Sequence, residues 1–175
     1  MPDITLLNLD VPAAEALAAS PENFARQRGI TLGPAWPVVV DIATHTARFL
    51  AATQARPPWV SYLAVEGPAR LLVGACGFKG NPGADGAAEI AYFTFPGDEG
   101  RGVATAMAQA LVRIAAAAHP AAAVVRAHTL PEVNASGRVL GKSGFRRLGE
   151  VIDPEDGLVW RWERSPSQHN DNPPV

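Results

Sequence analysis

Residues 97–105 read Gly97-Asp98-Glu99-Gly100-Arg101-Gly102-Val103-Ala104-Thr105, and the fold turns on how this stretch is read. Just before it, Ala87 to Phe95 reads as a strand that Pro96 ends. Just after it, Val103 to about Ala117 is built from strong helix formers and is stopped by His119-Pro120. A strand that passes through a glycine turn into a helix makes an anion site. The first helical N–H groups lack intrahelical acceptors, the macrodipole adds partial positive charge, and glycine lets a ligand approach the backbone. The candidate donors are the amides of Arg101, Gly102, Val103, Ala104 and Thr105, with Gly100 shaping the turn. Gly-x-Gly alone is a weak signal, and taken by itself the turn reads more simply as a plain turn with a helix start. No Gly-Lys-Ser/Thr follows, so the stretch is not a P-loop, and the spacing after Gly102 lacks the dinucleotide fingerprint.

Outward from the turn the periodicity defines the remaining elements. Ile4 to Leu7 is a short strand and Val11 to Ala18 a helix, with Asp10 as N-cap and Pro12 in its first turn. Pro21 to Gly33 gives a mixed signal. Trp36 to Thr53 has helical spacing in its second half, with Val39, Ile42, Phe49 and Leu50 inward. Trp59 to Glu66 and Leu71 to Phe78 are strands joined as a hairpin by Gly67-Pro68, and residues 79–86 (KGNPGADG) are a loop. Ala122 to His128 is a strand, Ala135 to Lys142 a short helix stopped at Gly144, and Phe145 to Ile152 and Leu158 to Glu163 are the last strands. The order is strand, helices, three strands, helix, strand, helix, two strands. It predicts an α/β protein with a mixed, hairpin-rich sheet rather than a doubly wound parallel one. No linker-like shift divides the chain, so residues 1–165 read as one domain and 166–175, polar and rich in Pro and Asn, as a disordered tail.

The composition narrows the function classes. A net charge of −2 gives no basic footprint for a nucleic-acid backbone. No apolar run reaches the ~20 residues of a membrane span, and the start Met1-Pro2-Asp3 lacks a signal-peptide core, so a cytoplasmic protein is expected. The single cysteine, Cys76, sits in an apolar run and reads as a buried structural thiol. His45, His119, His128 and His169 have no ligand spacing, and no metal is expected.

Three ordered blocks give the chain a resemblance over about Trp59 to Trp162. They are Gly77-Phe78-Lys79-Gly80-Asn81-Pro82 with Gly86 to Tyr92; Gly100 to Ala106; and Thr129 to Ser136 with Arg138-Val139-Leu140, ending Gly144-Phe145. Together they resemble the GCN5-related N-acetyltransferase superfamily, and within it the branch that includes ribosomal-protein alanine N-acetyltransferases. The resemblance implies a mostly antiparallel sheet with a splayed parallel pair at the cofactor, flanked by helices. It implies acetyl-CoA as cosubstrate and a primary amine, on a protein N-terminus or a small molecule, as acceptor. Open backbone groups of Phe93, Thr94 and Phe95 would bind the pantetheine arm as an added strand. Gly100 to Thr105 would hold the pyrophosphate, and Asn134 and Ser136 would touch the cofactor. The family's Gln/Arg at the first position of the turn motif is Glu99 here, which puts a carboxylate beside the pyrophosphate; Arg101 would offset it.

Acetyl transfer to an amine needs a proton acceptor, an oxyanion donor and a partner for the leaving thiolate. Glu89, in an Ala-Glu-Ile context that the histone-acetylating members also have, is the candidate base. Its apolar sequence neighbours suggest burial, which favours a neutral carboxyl. A strand glutamate that faces solvent or pairs with an arginine fits that position too. The family's thiol-protonating tyrosine would fall at Leu140, so Ser136 is the candidate donor to sulfur, with Tyr92 behind it. Trp36 and Trp59 line an acceptor pocket or pack the core. Two other readings stay open: an acyl-CoA sensor without turnover, motivated by Glu99 and the missing tyrosine, and a subunit whose apolar surface makes a homodimer.

Overall fold

A computed structural model describes residues 1–118 and 124–165, apart from the Trp36 side chain. The tail expected from Pro166 onward, His119-Pro120 and the start of the strand expected at Ala122 lie outside the described residues.

Strand β1 (Ile4–Leu9) leads into α1 (Val11–Ala19), α2 (Pro21–Arg28) and α3 (Trp36–Thr53). Asp10 caps α1, its carboxylate accepting from the Ala13 amide at 3.0 Å. The mixed stretch after Ser20 contains α2, opened by Pro21 and closed by Gly29 in the left-handed conformation. Its apolar face is only Pro21, Phe24 and Ala25, too few for a clear period. Helix α3 begins at Trp36, where the β-branched run Val38-Val39-Val40 hides helical spacing. Packing against α1, with Val39 and Ala43 buried, overrides that local preference.

The β2 (Ser61–Glu66) and β3 (Leu71–Phe78) hairpin continues antiparallel into β4 (Ala88–Thr94). Helix α4 (Val103–Ala118) crosses to β5 (Val125–Thr129), and α5 (Ala135–Lys142) precedes the hairpin of β6 (Arg146–Asp153) and β7 (Gly157–Arg164). The sheet has seven strands in the order β1-β2-β3-β4-β5-β7-β6. All neighbours are antiparallel except β4 and β5. Cores lie on both faces: Leu9, Leu17, Val39, Leu63 and Phe95 pack under α1–α3, and Ile90, Met107, Leu111, Leu140 and Phe145 under α4 and α5. Among the described residues no helix is long and apolar enough to cross a membrane.

Candidate active site

Among the described residues the parallel ladder between β4 and β5 holds Ala88 with Val125 and Glu89 with Arg126. Beyond Glu89 the strands part, and a cleft of about 420 Å³ opens where they separate. Strand alternation decides which groups face it. Ala88 N–H donates to Val124 O, toward β5, whereas Phe95 N–H donates to Val73 O, toward β3. Even-numbered amides, those of Tyr92 and Thr94, therefore face the gap. This corrects the assignment of open backbone groups to Phe93 and Phe95: both residues turn their amides to β3, and the Phe95 side chain is core, 1% exposed. Phe93 lines the cleft with its half-exposed ring. The Thr94 hydroxyl is buried there and has no hydrogen-bond partner among the described residues.

The glycine turn forms the far end of the cleft. Gly100 and Gly102 take φ of 74° and 87°, a region that L side chains avoid. The first helical bond of α4 runs from Ala106 N–H to Gly102 O at 3.0 Å. The Val103, Ala104 and Thr105 amides precede it and lie at the cleft with Gly100 and Gly102. Arg101 departs from expectation. Its guanidinium donates to Asp98 at 2.6 Å and to Glu66 at 2.5 Å, so it braces the turn against β2. Glu99 borders the cleft but spends one oxygen on the Gly97 amide, at 2.6 Å.

The opposite wall is α5. Asn134 is its N-cap, accepting from the Gly137 amide at 2.9 Å, which commits its side-chain oxygen to the helix. Ser136 lines the cleft, and its carbonyl accepts from the Tyr92 hydroxyl at 3.2 Å. Burial pushes the Tyr92 phenol up to about 12. Arg138 and Lys142 also line the cleft. Sequence reasoning passed over these two cations; their spacing of four on one helix was the available signal.

A second cavity, about 440 Å³, lies between α3 and the β3–β4 face. Tyr92 and Phe93 border both cavities. Cys76 lines this one but is buried, and burial pushes its thiol up, which suits packing rather than nucleophilic attack. Trp59 packs edge-on against Phe78, 4.9 Å between ring centroids, and so supports this wall from the core.

Glu89 is not the isolated carboxylate its sequence neighbours suggest. Side chains alternate along β4, so Ala88 and Ile90 enter the core while Glu89 points to the other face. There its Oε1 lies 3.1 Å from Lys79 Nζ and 3.2 Å from His128 Nδ1. Asp153 stands 3.8 Å from the same His128 nitrogen. Burial pushes the Lys79 ammonium down, but Glu89, Asp153 and Asp156 outweigh it and hold the pKa above its ordinary value. Two backbone N–H groups, of Asp156 and Glu155, hold the Asp153 carboxyl below the usual range. The Nε2 atom of His128 is buried without a partner among the described residues. Ligand atoms of Glu89, His128 and Asp153 come within 4.8 Å of one another, a metal-sized group that histidine spacing alone does not reveal. The Lys79 ammonium already supplies a positive charge beside it.

A seven-stranded sheet, parted at its one parallel pair and facing a helix N-terminus, has the fold of acetyltransferases. Solved structures with this fold include the microcin C7 self-immunity acetyltransferase MccE, in complex with acetyl-CoA and AMP, at 16% identity and TM-score 0.60, covering 93% of this chain and 92% of that one. A GNAT-family acetyltransferase from Bacillus anthracis matches at 16% identity and TM-score 0.62, covering 95% and 96%. Ribosomal-protein-S5-alanine acetyltransferase from Vibrio fischeri matches at 12% identity and TM-score 0.61, covering 94% and 93%. No curated protein matches by sequence. The family model of the acetyltransferase (GNAT) domain matches residues 5–146, and the chain belongs to this family of N-acetyltransferases.

Proposed function

We propose that residues 1–165 act as one domain that moves an acetyl group from acetyl-CoA to a primary amine. The observation that carries this reading is the cleft at the parted strands, with its row of free amides and one orphaned hydroxyl. The open edge of β4 suits a pantetheine arm laid down as an extra strand, and Thr94 offers that arm a hydrogen bond. The Val103, Ala104 and Thr105 amides suit the pyrophosphate. Arg138 and Lys142 supply the cationic charge that the sequence reading gave to Arg101.

The thioester would then lie beside Tyr92 and Phe93, where the two cavities meet. The neutral amine attacks the carbonyl carbon, a C–N bond forms, and the C–S bond breaks with its electron pair leaving on sulfur. The proton lost by the amine passes to Glu89, backed by His128 and Asp153. Ser136 and Tyr92 face the leaving sulfur. A phenol near 12 holds its proton against a thiolate of ordinary basicity, so Tyr92 would stabilise sulfur by turning its one donated hydrogen bond from the Ser136 carbonyl to the thiolate rather than by giving up the proton. Structural neighbours include acetyltransferases of ribosomal proteins and of aminoglycosides, which is consistent with an amine acceptor on either a protein or a small molecule. The test is calorimetry with acetyl-CoA followed by thiol release across a panel of amines. Binding with turnover supports the proposal; tight binding with no turnover makes the domain a sensor, and no binding overturns both readings.

A further inference from the structure

From the cavity beneath α3 we infer that the acceptor is a small monoamine carried on an apolar, aryl or alkyl body. This rests on the acetyl-transfer reading above and narrows its substrate class. The cavity's volume, about 440 Å³, falls in the range of small-molecule sites. It meets the cofactor cleft at Tyr92 and Phe93, so a molecule filling it reaches the point where the strands part. Its walls are apolar and partly aromatic: Val38, Ile42 and Phe49 of α3 stand opposite the sheet wall that holds Phe78 and Phe93. His45 stacks on Phe49, with centroids 6.5 Å apart, and extends the flat wall.

The charges gather at one rim. Lys79 and Glu155 both line the cavity, and Lys79 Nζ lies 3.1 Å from Glu89 and 4.0 Å from Glu155. Asp153 and Asp156 act on the same ammonium. Four carboxylates around one lysine leave surplus negative charge, which draws a single ammonium to the rim formed by Lys79 and Glu155, beside Glu89. Among the described residues lining the remaining walls there is no carboxylate to meet a second cation. A polyamine or aminoglycoside would desolvate its other ammonium groups against hydrocarbon. A peptide brings one N–H and one C=O per residue, and these walls offer few partners for them.

The experiment compares 2-phenylethylamine with spermidine, kanamycin and an alanine-initiated hexapeptide. Initial rates of thiol release give kcat/KM, and saturation-transfer NMR on the CoA-mixed protein reads amine binding without turnover. Expected are a kcat/KM for phenylethylamine at least tenfold above each of the others, and saturation of its ring protons. Ile42→Asp, on the cavity wall, lowers that kcat/KM at least tenfold and leaves acetyl-CoA affinity within twofold, which also reports that the variant is folded. Equal or stronger binding of spermidine, kanamycin or the peptide overturns the inference, as does a folded Ile42→Asp protein with unchanged phenylethylamine kinetics. If acetyl-CoA fails to bind, the acetyl-transfer reading falls, and NMR on the free protein still decides whether the cavity prefers the apolar monoamine.

Discussion

Replacing Glu99 by glutamine separates two effects of one carboxylate. Glu99 borders the cofactor cleft and at the same time holds the Gly97 amide at 2.6 Å. Glutamine keeps an oxygen for that amide and removes the charge. Two charges on a pyrophosphate about 7 Å from one carboxylate repel it in water by about 1.2 kcal/mol before screening. A Debye length of about 8 Å at physiological salt leaves roughly 0.5 kcal/mol, and one of about 30 Å at 10 mM leaves roughly 0.9 kcal/mol. Acetyl-CoA should therefore bind Glu99→Gln about twofold tighter at physiological salt and about fivefold tighter at 10 mM. Stability moves the other way. Exchanging a charge-assisted hydrogen bond for a neutral one costs roughly 0.5 kcal/mol, a fall in Tm of about 1–2 °C for a chain of this size. Calorimetry at the two salt concentrations and a thermal melt read all three numbers. Affinity that is unchanged or weaker at both salts would refute the electrostatic reasoning.

Glu89→Gln retains the shape and one oxygen for Lys79 and His128, so acetyl-CoA affinity should hold while kcat falls about 100-fold or more; full retained turnover removes Glu89 as the base. Arg138→Ala with Lys142→Ala should weaken acetyl-CoA binding by about ten-fold and flatten its salt dependence, because both cations line the cleft; a calorimetric Kd within twofold of the parent counts against that role. The Arg126 guanidinium and the Ala87 amide hold the Asp85 carboxyl below its ordinary 3.8. Its folded-state pKa is depressed, so its contribution to stability is complete above the unfolded value and disappears as pH falls through the folded one. Asp85→Asn should lower the urea midpoint at pH 7, and the difference from the parent should narrow steadily as pH falls below ~3.8; a gap that does not narrow there would contradict this.

The signals legible in the chain before folding were local ones. Apolar periodicity and turn chemistry located β3 to the residue, along with the Gly67-Pro68 hairpin, helix α5 with its Gly144 stop, and the start of α4 at the glycine turn. These signals are written in residues a few positions apart, where backbone preferences act. Helix α2 and the first half of α3 were hidden because their helicity depends on packing against α1, not on propensity. Which charges meet was decided by the tertiary structure. Glu89 and His128 are separated by 39 positions, and only the parallel step from β4 to β5, with the β6–β7 hairpin alongside, brings Asp153 to the same nitrogen. Arg101 lies inside the glycine turn, yet its guanidinium pairs with Asp98 and with Glu66 of β2, because a guanidinium takes the carboxylates within its reach. The cleft itself exists because two strands that begin as neighbours part after two residue pairs, and no run of residues in one strand encodes that separation.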